Sequence, residues 1–231
     1  MKKYVYRIGC FFFAVINWKA ANCQVKSIIL NRYSDKNLFY HVGTHTPLSR
    51  FDYQQIAQKF KISLTGLVLD KITLNRFISK VNDTRIKDFD RTTFKINIHN
   101  RDPFTSGPGK LLNTEEIVIA DAHSQQITVN LKSRKIKLPD TVFFVAIVFL
   151  KSSENERLVK GYPDGSIPFL PPVQEFKFWP VYQPFINMAA EKGPVLNVWA
   201  MDSSGKWSLY NYFSPDLTDL AISAELSSSS N

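Results

Sequence analysis

Apolar and polar residues alternate along most of this chain with a period of two, which is typical of β-strands that have one face on a core and one in water. The clearest runs are residues 72–74, 94–99, 127–132, 196–201 and 220–226. Residues 142–150 differ, because they are apolar at every position and rich in Phe and Val. This run predicts a central strand covered on both faces.

Turn-forming residues separate these runs, as in Ser106-Gly107-Pro108-Gly109, Pro163-Asp164-Gly165 and Ser203-Ser204-Gly205. Only residues 53–60 show helical spacing, with Tyr53, Ile56, Ala57 and Phe60 at positions i, i+3, i+4 and i+7. Many short strands and one short helix predict an all-β fold, an antiparallel two-sheet β-sandwich.

The amino terminus is typical of a secretory signal peptide. Lys2, Lys3 and Arg7 precede a short apolar run, and Ala21-Asn22-Cys23 supplies the small residues of a cleavage site. The alternative is a lipobox at Cys23, but Ala20 and Asn22 suit that motif less well. We therefore expect a signal peptide at 1–23, one β-sandwich domain at 24–226 and a disordered polar tail at 227–231.

Cleavage changes the composition of the mature protein. The 231-residue chain carries a net charge of +9, and the leader holds four basic residues, no acidic residue and both cysteines. The remaining 208 residues carry +5 and no cysteine, which excludes a disulfide, a thiolate nucleophile and a Cys-ligated metal. No later apolar run reaches the roughly 20 residues of a transmembrane helix.

Several short segments, taken in order, resemble a group of secreted Bacteroidetes-type β-sandwich proteins that are often attached to carboxypeptidase-like regulatory domains. They are residues 55–60 (QIAQKF), 94–99 (FKINIH), 107–112 (GPGKLL), 129–131 (VNL), 136–139 (IKLP) and 143–147 (FFVAI). The group commonly has an acid and a Trp after the last segment, where this chain has Val148 and Phe149. The resemblance implies a jelly-roll-like sandwich in the cell envelope and no catalytic residues.

Candidate metal ligands have competing interpretations. His41 and His45 have the spacing of a helical metal pair, but on a strand they would lie about 13 Å apart, so we expect two surface histidines. Asp83, Asp88 and Asp90 are candidate Ca²⁺ ligands, but basic residues interleave with them, so we expect an ion-paired loop. We expect no metal and no cofactor.

Two charged clusters are candidates for other chemistry. Glu115, Glu116 and Asp121 would suit acid–base catalysis, but they flank an apolar run and match no hydrolase motif. A basic patch contains Lys132, Arg134, Lys135 and Lys137 without the interleaved aromatic residues of a nucleic-acid site. We expect a solvated loop there and no nucleic-acid partner.

Aromatic residues concentrate near the carboxyl terminus and are the best candidates for ligand contact. Alternation places Trp207 and Leu209 on one side of a strand, which we expect to face the core, and Tyr210 and Tyr212 on the other, exposed side. Exposed rings can stack on sugars or anchor a protein. The predicted binding residues are Trp179, Tyr182, Tyr210 and Tyr212; the alternative is that all of these aromatics pack in the core or at its rim.

Together these features predict an exported, non-enzymatic binding module of the cell envelope, periplasmic, outer-membrane-associated or extracellular, with a protein or glycan ligand. The alternatives are a carbohydrate-active hydrolase and a structural envelope subunit. Residues 151–175 are rich in charge, Gly and Pro, and predict a long loop that is either functional or mobile.

Overall fold

The computed structural model describes residues 27–45, 51–78, 91–161, 177–189, 196–211 and 218–228. The signal peptide, the three candidate aspartates, Tyr212 and most of the 151–175 loop lie outside these ranges. Within them the chain is all-β, and the helical segments are the short 3₁₀ turns Asp35–Asn37 and Lys132–Arg134. No helix in these ranges is long and apolar enough to cross a membrane.

The strands follow the predicted alternation closely. In chain order they are β1 (Ile28–Leu30), β2 (Leu38–His45), β3 (Tyr53–Lys61), β4 (Leu67–Asn75), β5 (Thr92–Arg101), β6 (Pro108–Leu111), β7 (Ile117–Ala122), β8 (Gln126–Asn130), β9 (Ile136–Lys137), β10 (Val142–Val148), β11 (Glu156–Gly161), β12 (Lys177–Ala189), β13 (Val198–Asp202), β14 (Trp207–Leu209), β15 (Asp219–Leu220) and β16 (Ile222–Ser228). Because β16 runs to Ser228, the first two residues of the predicted disordered tail belong to a strand.

The strands form three antiparallel sheets. The seven-stranded sheet has the order β14-β13-β3-β10-β5-β6, and β7 also pairs with β5. The five-stranded sheet has the order β1-β16-β4-β8, with β9 beside β4. In the four-stranded sheet β12 pairs with β11, β15 and β2.

One apolar core joins the sheets. It takes alternate residues from the strands of the five- and seven-stranded sheets, such as Leu69 and Ile72 from β4 and Ile96 and Ile98 from β5. Strand β10 contributes Phe143, Val145 and Ile147 to this core and is buried on its other face as well. The predicted central strand is therefore confirmed.

The predicted helix at residues 53–60 is wrong, because this segment is strand β3. It pairs with β10 on one side and β13 on the other, so it is central in its sheet. Consecutive residues Ile56, Ala57 and Gln58 are all fully buried, which an amphipathic surface helix does not allow. Gln58 is satisfied by Asp219, to whose Oδ1 it donates a hydrogen bond of 2.5 Å.

Candidate functional site

The seven-stranded sheet is strongly curved. The face that points away from the main apolar core is concave. The rings of His99 on β5 and Trp207 on β14 lie 5.8 Å apart and edge to face. These strands are four steps apart in the sheet, which in a flat sheet would separate them by about 19 Å. The sheet must therefore curl so that β5 approaches the edge strand β14, and we call the concave face between these two strands the trough.

Small residues form the floor of the trough. Ala57 and Ala146 are Cα partners in the centre of the sheet and are fully buried. Trp199 is the Cα partner of Ala57 on the other side, and its ring meets Phe144 edge to face at 6.3 Å. The absence of bulk at Ala57 and Ala146 leaves room for the indole ring to lie across the floor.

The turn at residues 102–107, between β5 and β6, closes one end of the trough. A Cβ atom on Gly107 would lie only 2.6 Å from Cζ3 of Trp199, so the backbone of the turn rests on the indole ring. Asp102 shapes the turn, because its Oδ1 accepts hydrogen bonds from the amides of Phe104 and Thr105 at 2.8 Å each. These bonds lower the pKa of Asp102. The ring of Phe104, at the tip of the turn, is 93% exposed.

A partly exposed row of residues marks the open side of the trough. Cross-strand pairing places Trp207, Met201, Gln55, Val148 and Lys95 side by side on five neighbouring strands. All five are partly exposed, so this row combines an indole, a thioether, an amide and an ammonium group that a ligand can reach. Leu209, also on β14, is 44% exposed.

Amide groups stand beside this row. Gln55 Oε1 accepts a hydrogen bond of 3.2 Å from Asn97 Nδ2, and Gln55 Nε2 lies 3.8 Å from the sulfur of Met201. Both amides are partly exposed. Aromatic and apolar side chains beside a few hydrogen-bonding groups are the usual lining of a small-molecule site.

His99 lies deeper in the trough. Its Nδ1 lies 2.9 Å from the carbonyl oxygen of Gly109, so Nδ1 carries the proton and donates it. Burial lowers the pKa of His99, and the Gly109 hydrogen bond partly offsets this. The ring is therefore neutral at pH 7, and its buried Nε2 is an acceptor with no protein partner among the described residues.

The predicted aromatic face is only partly described. Tyr182 is partly exposed on β12, and its hydroxyl lies 3.4 Å from Glu156 Oε2. Trp179 lies on the same strand as the partner of Val159, but its side chain and all of Tyr212 are outside the described residues. Tyr182 and Tyr210 belong to different sheets, so these two do not form a common face within the described structure.

The predicted orientation of the β14 region was inverted. Tyr210 is 2% exposed and packs edge to face against Tyr53 in the core at 5.5 Å. Leu209 is exposed and Trp207 enters the trough. Alternation correctly separated Tyr210 from Trp207 and Leu209, but both sides of this strand are apolar, so the pattern did not show which side faces the core.

His41 and His45 lie on strand β2 and not on a helix, so they do not have the geometry of a helical metal pair. The ring of His41 stacks on Phe77 at 4.1 Å, and His45 is buried near Phe51. Burial lowers the pKa of each to about 4. His45 is thus not the surface residue that we expected, and no cluster of three or more His, Cys, Asp or Glu that could hold a metal occurs in the described residues.

The candidate catalytic acids are in ion pairs along β7 and the loop before it. Glu115 pairs with Arg134 at 2.9 Å, Glu116 with Lys95 at 2.6 Å, and Asp121 with Arg91 at 3.2 Å. All three carboxylates are well exposed. Glu115 and Glu116 precede strand β7, as the sequence indicated, whereas Asp121 lies within the strand.

No protein-family model matches the sequence, and no curated protein matches it. Two solved structures resemble the fold at 12% identity. One is a clostridial cysteine protease, Cwp84, after propeptide cleavage, with a TM-score of 0.49 over 88% of this chain and 40% of that chain. The other contains the cysteine protease and lectin-like domains of Cwp84, a surface layer associated protein of Clostridium difficile, with a TM-score of 0.45 over 76% of this chain and 32% of that chain. This chain therefore spans less than half of either matched chain.

Proposed function

We propose that this protein is an exported, non-enzymatic jelly-roll-like β-sandwich of the cell envelope that binds a glycan in the trough. The observation that carries the proposal is the partly exposed indole of Trp207, which packs against the buried floor of the trough on the same face as the amides of Gln55 and Asn97. The apolar core shared by the five- and seven-stranded sheets supports the sandwich architecture. The signal peptide predicted from the sequence, together with the resemblance to secreted Bacteroidetes-type proteins, is the argument for export.

The trough suits a sugar ring for two physical reasons. The face of an indole ring attracts the weakly positive C–H groups of a sugar, and a buried floor holds that ring in one orientation. Sugar hydroxyls both donate and accept hydrogen bonds, as the side-chain amides of Gln55 and Asn97 do.

The ion pairs favour binding over hydrolysis. A glycosidase needs two carboxyl groups that face each other across the scissile bond, about 5 to 10 Å apart. Glu115, Glu116 and Asp121 are each paired with a basic side chain on the exposed surface. This supports a structural role for these acids.

A panel of soluble neutral oligosaccharides tests the proposal. Isothermal titration calorimetry with the mature protein should show saturable binding to at least one of them, and chromatography should show no cleavage. Trp207→Ala should weaken binding at least tenfold, whereas Leu158→Ala, which truncates an exposed leucine on β11, should leave it unchanged. Cleavage of any oligosaccharide would establish the hydrolase instead, and the absence of binding would exclude the glycan ligand.

A further inference from the structure

A groove separate from the trough lies between a loop of the seven-stranded sheet and a segment of the five-stranded sheet. It has a volume of about 630 Å³. One wall is the loop 112–115 between β6 and β7, and the other is the segment 133–137, which contains the end of the second 3₁₀ turn and β9. This groove shares no residue with the trough.

Buried side chains fix both walls. In the first wall Asn113 is buried, its Oδ1 accepts from the amide of Ile98 at 2.8 Å, and its Nδ2 donates to the carbonyl of Glu115 at 2.9 Å. In the second wall Leu131 and Ile136 insert into the core on either side of the turn. The groove is therefore formed before any ligand arrives, which reduces the entropic cost of binding.

The anchored turn presents basic side chains to the groove. Between the buried residues Leu131 and Leu138, four of six residues are Lys or Arg, and Arg134, Lys135 and Lys137 line the groove. Glu115 is the acidic residue in the lining and pairs with Arg134 at 2.9 Å. Exposed pairs of this kind add little to stability, so an incoming anion can replace the Glu115 carboxylate at Arg134.

The rest of the lining indicates the size and polarity of the ligand. Thr114 and Ser133 add exposed hydroxyl groups, while Leu112 is only partly exposed and Ile136 is buried. A protein partner would need a larger apolar centre, and a nucleic acid would need rings on which bases stack. A volume of this size fits a small ligand rich in hydroxyl and anionic groups.

We propose that this groove binds an anionic saccharide, a sugar that carries carboxylate, phosphate or sulfate groups. Arg134 forms a two-pronged contact with the anionic group, and Lys135 and Lys137 neutralise it from the same wall. The hydroxyls of Thr114 and Ser133 contact the sugar hydroxyls. The site works independently of the trough.

Titration calorimetry with three matched oligosaccharides tests the proposal on the full mature chain: an oligogalacturonide, a sulfated maltooligosaccharide and an unmodified maltooligosaccharide. At least one of the two acidic compounds should bind through the groove, and raising the salt concentration should weaken that binding. Arg134→Gln should weaken it at least tenfold. Lys36→Gln, an equal loss of charge outside the groove, should have no effect.

The variant Glu115→Gln tests recognition directly, because misfolding would weaken binding and cannot tighten it. It removes the carboxylate that competes for Arg134, so it should tighten binding of the acidic oligosaccharide several-fold. Trp207→Ala should leave this binding unchanged, which distinguishes the groove from the trough. Four results would overturn the proposal: failure of both acidic compounds to bind, loss of binding in Glu115→Gln, insensitivity to Arg134→Gln, or tighter binding of poly-glutamate or single-stranded DNA than of either acidic saccharide.

Discussion

Substitution of Gly107 by alanine tests the geometry of the trough. The added methyl carbon would lie 2.6, 2.8 and 3.0 Å from three carbons of the Trp199 ring. Carbon atoms in contact normally stay 3.5–4.0 Å apart, so the ring or the turn would have to move by about 1 Å. The Trp199 ring has little freedom to do so, because it is 8% exposed and packs against Phe144.

Overpacking of this kind costs about 2 kcal/mol. For a domain of about 200 residues this corresponds to a decrease in Tm of roughly 4–8 °C. Thermal unfolding followed by circular dichroism measures this change without relying on tryptophan fluorescence. We expect a cooperative transition at the lower temperature.

A double-mutant cycle identifies the cause of the loss. In a Trp199→Leu background the methyl group at position 107 has space, so Gly107→Ala should cost less than about 0.5 kcal/mol there. Gly66→Ala is the matched control: its methyl group would meet nothing within 4 Å, but the residue has a φ of +76°. Its backbone cost of about 1 kcal/mol should be the same in both backgrounds. An unchanged cost for Gly107→Ala in the Trp199→Leu background would refute the contact between the turn and the indole ring.

Three further predictions concern buried polar groups. Burial lowers the pKa of His41 and His45 from 6.5 to about 4, so below pH 6.5 the unfolded chain binds protons that the folded chain does not. Their contribution is fully present above pH 6.5, and urea unfolding should show about 3 kcal/mol less stability at pH 5 than at pH 7. Asn155→Ala removes four side-chain hydrogen bonds from a fully buried site and should cost about 2–4 kcal/mol in the same assay. Lys151→Met leaves its buried ion-pair partner Asp52 without a cation and should cost about 2–4 kcal/mol, most of which Asp52→Asn in the same chain should restore.

Matched variants control these measurements. His123 is exposed, so His123→Gln should keep the full difference in stability between pH 5 and pH 7, while His41→Gln combined with His45→Gln should reduce it. Equal stability of the wild-type protein at the two pH values would contradict the role of the buried rings. For Asn155→Ala, a cost below about 0.5 kcal/mol would show that water replaces its hydrogen bonds. For Lys151→Met, no recovery in the double variant would show that packing, rather than charge, dominates.

The alternation of apolar and polar residues predicted the strands whose two faces differ in polarity. The continuous apolar run predicted β10, which is buried on both faces. Strand β3 was missed because its buried Gln58 looks like a solvent-facing residue of a helix. The partner that makes its burial possible, Asp219, lies 161 residues away. Polar burial that depends on such distant contacts leaves no local signal in the sequence.

The trough was only partly predictable for a related reason. The sequence pointed to the carboxyl-terminal aromatic residues as ligand contacts. The two that line the trough, Trp199 and Trp207, were not among the predicted binding residues, and Trp207 was expected to face the core. The ring of His99 also lines the trough. It comes from a strand more than 100 residues before Trp207 and reaches Trp207 only because the sheet curls. Curvature depends on the packing of the whole sheet, so spacing along the chain does not reveal it.

The most direct test of the central claim is the indole N–H resonance of Trp207, followed by NMR during titration with the oligosaccharide panel. If the trough is the binding site, a saturable shift of this resonance should accompany binding of a neutral oligosaccharide, and the midpoint should match calorimetry. Saturable binding of a neutral oligosaccharide without any change in the Trp207 resonance would contradict the account.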